Sequence, residues 1–297
     1  MFEVTMFGTT SVNTGNGRAA VGLGGVKPRQ ILEIMALANG APVSKERLAD
    51  LLWEGDPPKS YLATLESYIC VLRRQLGSRG RTSVIMTTSK GYALDPAQVR
   101  VDLAWCRSLL ESAMTASDAA SGIALTEQAL EVSRQPLLAS EPYADWAARE
   151  REHLVRELVE GCVRASAQSL TLGDGARAVR LARSAVQLDG FAEDAWRQMM
   201  RALVSTGRRG EALQAFNNLR TLMAGELGVE PAGATQELYL QVLRDESGPL
   251  TESGPDSGEL RTLLALLRRA LDSTPGITVP RGDSGLSFAA VQALAVA

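Results

Sequence analysis

SYLATLESYICVLRRQL, Ser60 to Leu76, followed from Ser83 by SVIMTTSKGYALD, is the stretch on which the fold turns. In its first part apolar side chains return on a helical period. Leu62, Leu65, Ile69, Leu72 and Leu76 share one face, and Thr64, Ser67, Tyr68, Val71, Arg74 and Gln75 share the other. One face is expected to be core, which leaves the other free to touch something. The second part is rich in β-branched residues on both sides of a Ser-Lys-Gly turn, the composition of a two-stranded hairpin.

Upstream, Ser44 is placed to cap KERLADLLW, whose Leu48, Leu51 and Leu52 make an apolar stripe, and Gly55 with Pro57 and Pro58 ends that helix. RQILEIMALANG carries another helical pattern, with Pro28 suited to its first turn and Asn39-Gly40 at its stop. The opening EVTMFG alternates like an edge strand, and TGNG at 14 to 17 signals a hairpin to a short strand near Arg18 to Val21. Strands, three helices and a basic hairpin in this order predict a winged helix-turn-helix domain over residues 1–100.

Charge sharpens the expectation. The 297 residues carry a net charge of -3, yet residues 1–100 hold 12 Lys+Arg against 8 Asp+Glu. Lys59, Arg73, Arg74, Arg79, Arg81, Lys90 and Arg100 face only Glu66 and Asp95 between 59 and 100, which makes a candidate phosphate-facing patch. In a winged helix the third helix enters the major groove and the wing reaches the backbone or the minor groove. Thr64, Ser67 and Val71 are then candidates for base edges, because a hydroxyl donates or accepts and an aliphatic group meets a thymine methyl. Tyr68, Arg73, Arg74 and Lys90 suit phosphates, the other reading of Tyr68 and Arg73 being that they cover the second helix.

From Val101 strand signals vanish and Ala, Leu, Arg and Glu dominate. Gly173 to Ala178 (GDGARA) recurs as Gly207 to Ala212 (GRRGEA), an offset of 34 residues that is the tetratricopeptide period. Leu188 matches Leu222 and Leu172 matches Thr206 at the same offset. The expectation is a mainly α chain with a small β component: the winged helix, then an all-α tetratricopeptide-like domain over 101–245. ESGPLTESGPDSG reads as a flexible linker over 246–258, and 259–297 as a helical extension. The stripe of Leu260, Leu263, Leu264, Leu267 and Leu271 is expected to dock on a groove of the repeats.

Other classes of function find no support. Cys70, Cys106 and Cys162 are far apart and form no C-x-x-C pair, so they read as reduced structural residues with no zinc site. His153 stands alone in EREHLVREL as a solvated helix residue, which removes a histidine-dependent triad and a multi-histidine metal site. Gly22 to Gly25 lacks the lysine of a phosphate loop, and Glu150 and Glu152 read as surface. No enzyme and no cofactor are expected. MFEVTMFGTT has no basic region before an apolar run, and no stretch of about 18 apolar residues occurs, so a cytoplasmic location without membrane contact is expected.

KPRQILEIMALANGAPVSKERLADLLWEGDPP, LESYICVLRRQLG and KGYAL in the first domain resemble the Streptomyces antibiotic regulatory proteins in their short form. ASEPYADWAARERE and ALVSTGRRGEALQAFNNLRTLMAGELGVEPAGATQELY are similar to the bacterial transcriptional activation domain of that family, so the likeness runs from about residue 2 to 245. The resemblance implies base contacts at Thr64, Ser67 and Val71, and backbone contacts at Trp53, Tyr68, Arg73 and Arg74. It implies a wing at Thr88, Ser89 and Lys90 supported by Tyr92, although Thr-Ser-Lys-Gly-Tyr replaces the frequent Arg-Gly-x-Gly-Tyr. It further implies a homodimer on direct repeats of double-stranded DNA, contact with RNA polymerase including its sigma factor, and activation of a biosynthetic gene cluster. Two other readings stay open on the residues alone, a repeat scaffold whose winged helix binds protein and a ligand-responsive regulator.

Overall fold

The computed structural model describes residues 1–14, 22–76 and 83–244. β1 (Phe2–Thr5) runs antiparallel to β2 (Ser11–Thr14) and parallel to β5 (Val99–Val101), in the order β2-β1-β5. Val4 lies opposite Val12, and both are buried, so one face of this small sheet is sealed. The partner strand of β1 is therefore Ser11–Thr14, and the chain reverses around Gly8, ahead of the turn expected at TGNG. Alternation explains the choice, because Val12 continues the buried face that Val4 and Met6 begin. The strand expected near Arg18 to Val21 lies outside the described residues, as do the linker 246–258 and the extension 259–297.

α1 (Val26–Leu37), α2 (Lys45–Leu52) and α3 (Tyr61–Gln75) follow, then the hairpin of β3 (Ile85–Thr88) and β4 (Gly91–Leu94). Pro28 sits in the first turn of α1, and Asn39 and Gly40 beyond its end take positive φ, 46° and 84°. Ser44 caps α2, its Oγ accepting from the Arg47 amide at 3.0 Å. Ile31, Leu32 and Met35 of α1, Leu48 of α2, and Leu65, Ile69 and Leu72 of α3 form the centre of the core. Leu62 does not join them. It is 43% exposed, in the first turn of α3. Cys70 also departs from its expected structural place: it is exposed on α3, whereas Cys106 and Cys162 are buried.

The helical part is built from α4 (Asp102–Thr115), α5 (Ala119–Val132), α6 (Asp145–Thr171), α7 (Gly175–Leu188), α8 (Glu193–Ser205), α9 (Arg209–Glu226) and α10 (Gly233–Arg244). The repeat seen at a 34-residue offset is the turn that joins α6 to α7 and α8 to α9. Gly173 and Gly207 hold φ of 76° and 75° just past a helix end, a conformation that other residues adopt with strain. Ala178 and Ala212 are wholly buried, which lets the paired helices approach closely. Phe216 stacks on Tyr239 at 4.1 Å and fastens α10 to α9.

The two parts share one core, in which Val4 and Ile31 belong with Leu109 and Leu158. Asp102, at the start of α4, accepts from the amides of Met6 and Phe7, which ties that helix to the end of β1. The Leu138 amide donates to Met6 O and the Ala139 amide to Gly8 O, so the segment before α6 pairs with residues 6–8, just beyond β1. Arg151 of α6 clamps the same segment by donating to the carbonyls of Leu137, Leu138, Glu141 and Pro142. His153 is mostly exposed and lies 3.2 Å from Glu157. Glu150, expected as plain surface, is half-buried and paired with Arg107.

Candidate nucleic-acid interface

The outer face of α3 runs through Ala63, Glu66, Ser67, Cys70 and Arg74, all exposed. Ser67 and Arg74 are thus presented as their sequence spacing suggested. Thr64 and Val71 lie on the flank and are half-buried. The Thr64 hydroxyl donates to the Ser60 carbonyl at 3.2 Å, and Val71 packs on the backbone of Gly24, ahead of α1. Tyr68 packs against the core with its ring half covered. Trp53 stands at the C-terminal cap of α2, also half-buried, and Lys59 is exposed in the turn that leads to α3.

The wing is held to α3 by one arginine. Arg73 Nη2 donates to the Ile85 carbonyl at 2.8 Å and to Thr87 Oγ1 at 2.7 Å, and Nε donates to the same carbonyl at 3.2 Å. Its guanidinium also lies 5.9 Å from the centroid of the buried Tyr92 ring. Two of its three guanidinium nitrogens are thus engaged within the protein, and through them Arg73 orients β3. From α2, Lys45 Nζ approaches the same ring at 5.7 Å and pairs with Glu66 Oε1 at 2.7 Å. The Glu66 hydrogen bond holds the Lys45 ammonium above its ordinary value. Tyr92 therefore supports the wing from below, flanked by one cation from α2 and one from α3.

At the wing tip Ser89 and Lys90 are exposed. Thr88 is occupied within the turn, its hydroxyl donating to Gly91 O at 3.2 Å while accepting from the Lys90 amide at 3.1 Å. β4 is buried along its length, and Tyr92 also exchanges both backbone hydrogen bonds with Val43, at 2.8 and 2.9 Å. Of the remaining basic block, Arg79 and Arg81 fall outside the described residues, and Arg100 sits on β5 lining a cleft with Asn39 and Trp105. Sequence reasoning missed Lys45 and Glu66. Glu66 stands about 100° around the helix from Ser67, outside the polar face that periodicity marks, and its pairing with Lys45 depends on how α2 crosses α3.

A winged helix with a solvent-facing third helix and a braced hairpin, packed on helical repeats, defines a DNA-binding transcription regulator. Residues 24–94 match the family described as "Transcriptional regulatory protein, C terminal", and residues 101–243 match "Bacterial transcriptional activator domain". The regulatory protein DnrI of Streptomyces peucetius is 31% identical over 241 residues, covering 77% of this chain and 88% of its own length. The regulatory protein AfsR of Streptomyces griseus is 30% identical over 258 residues; the match covers 84% of this chain but only 26% of AfsR. Mycobacterium tuberculosis EmbR, solved in complex with a low affinity phosphopeptide, superposes with a TM-score of 0.69 at 21% identity, covering 91% of this chain and 71% of EmbR, which bears on the fold alone. The chain belongs to the Streptomyces antibiotic regulatory protein family of transcriptional activators. Among the described residues no helix is long and apolar enough to cross a membrane.

Proposed function

We propose that the chain activates a secondary-metabolite gene cluster from the cytoplasm, as a homodimer on direct repeats of double-stranded DNA that engages RNA polymerase through its sigma factor. It works by binding and not by catalysis. Residues 1–100 read DNA and residues 101–245 contact the transcription machinery. The observation that carries this reading is the outer face of α3, left free because the fully buried residues of this helix are Leu65, Ile69, Leu72 and, at its cap, Leu76. Ser67 reads a base edge from the centre of that face, with Thr64 and Val71 at its margin. Arg74, Lys59, Ser89 and Lys90 meet phosphates, as do Trp53 and Tyr68 from the edge of the core. Thr88, Arg73 and Tyr92 set the shape and position of the wing. Footprinting on promoters next to the gene itself tests the reading, and protection of two equally oriented half-sites about one helical turn apart is the expected result.

Arg74→Ala and Lys90→Ala are each expected to weaken binding to cognate and random DNA alike. Each should make the salt dependence of affinity shallower by about one phosphate contact. Titration at several salt concentrations checks this, and an unchanged slope removes that residue from the interface. Ser67→Ala, by contrast, is expected to cost about 1 kcal/mol on the cognate site and little on random DNA. Equal losses on both would make Ser67 a positioning residue.

A further inference from the structure

We propose that Glu66 is a specificity-determining residue that accepts a hydrogen bond from the exocyclic amine of a cytosine, an inference that rests on the outer face of α3 being the surface that reads DNA. Glu66 is 55% exposed and is the only carboxylate on the strip formed by Ala63, Glu66, Ser67, Cys70 and Arg74. A carboxylate facing a polyanion weakens every non-specific contact, so its presence there calls for a return in selectivity. Lys45 restrains one of its two oxygens. Lys45 holds Oε1 at 2.7 Å and is itself steadied over the Tyr92 ring, so the carboxylate is braced from α2 and from the base of the wing. The other oxygen, Oε2, has no donor among the described residues.

An acceptor-only group in the major groove has two partners on base edges, the amines of cytosine and adenine. Beside the adenine amine lies N7, itself an acceptor, which repels a second acceptor. Cytosine offers its amine without that neighbour, and a carboxylate therefore favours it. Lys45 offsets the charge of Glu66 against nearby phosphates while leaving Oε2 to the base. Glutamine in the same place carries a donor next to its acceptor, the complement of adenine.

The test is selection of binding sites from a randomised duplex pool by the full chain and by Glu66→Gln and Glu66→Ala, followed by titration of the selected site with each base at each position. Thermal unfolding of the variants checks that both remain folded, and the near-isosteric Glu66→Gln keeps the shape of the side chain. The wild type is expected to prefer cytosine at one position of each half-site by on the order of tenfold. Glu66→Ala should lose that preference and bind random DNA more tightly, and Glu66→Gln should turn it toward adenine at the same position. A wild-type site whose base profile is unchanged in both variants overturns the proposal and leaves Glu66 as a brace between α2 and α3. A wild type that enriches no sequence overturns the reading face of α3 itself, and this proposal with it.

Discussion

Gly91→Ala is expected to destabilise the chain by about 3 kcal/mol and to release the wing from the body of the reader. Gly91 has φ of 133°, a conformation L side chains rarely adopt. A methyl group there would drive into the Val43 carbonyl and lie 2.7 Å from Ser44 Cα, and these are backbone atoms that cannot swing aside. Relief requires β4 to move off residue 43, which breaks the paired backbone hydrogen bonds between Val43 and Tyr92. Tyr92 would then lose its seat between Lys45 and Arg73. Gly55 is the comparison, because it also has positive φ but meets nothing within 4 Å, and Gly55→Ala should cost about 1 kcal/mol. Urea unfolding of the two variants measures the difference, and DNA binding by Gly91→Ala should lose its wing contribution. Equal and small losses would mean that β4 is free to shift away from α2.

That glycine shows where the sequence spoke and where it did not. Lys-Gly between two β-branched runs was readable as a turn, but the close approach of β4 to Val43 comes from a residue 48 positions upstream and leaves no local mark. The same division runs through α3. Its buried row of Leu65, Ile69, Leu72 and Leu76 followed from period alone, whereas Leu62, on the same row, is exposed because nothing packs over the first turn. Arg73 read as a phosphate ligand because a basic residue near a helix end ordinarily faces solvent. Its engagement with Ile85 and Thr87 depends on the angle at which β3 returns. The repeat period located the glycine turns of the helical part, since φ above zero restricts residue choice at a point. Part of the contact between the two parts gave no periodic signal, because the irregular segment 136–142 joins it largely through backbone groups that any sequence carries.

A buried acid at that contact leads to the second large effect: between pH 5 and pH 8.5 the wild type is expected to lose up to about 3 kcal/mol of stability that Glu33→Gln retains. Glu33 of α1 is fully buried, and both carboxyl oxygens lack a hydrogen-bond partner. Arg29 approaches one of them at 3.4 Å but gives its nearer contact to Glu141, which also accepts from Gln30 at 2.8 Å. Burial pushes the Glu33 carboxyl up to about 7, against the opposing pull of the Arg29 and Arg151 charges, and Glu141 adds to the rise. The folded state therefore favours the protonated acid. Its contribution is fully present below the ordinary value of 4.5 and is lost as pH rises through about 7. Asp102 is also raised by burial and slopes in the same direction, so the difference between wild type and Glu33→Gln isolates Glu33. Chemical unfolding at half-unit steps of pH gives that difference, which should grow steadily from pH 5 and level off above pH 8. Parallel curves would show that Arg29 and Arg151 neutralise Glu33 throughout. Because α1 packs on α3 and Arg29 joins α1 to Glu141 ahead of α6, the charge on Glu33 bears on the seam between the DNA reader and the activator helices. Once the base-catalysed rise of the intrinsic rate is divided out, the hydrogen-exchange protection of residues 136–142 should accordingly fall above neutral pH in the wild type and stay level in the glutamine variant.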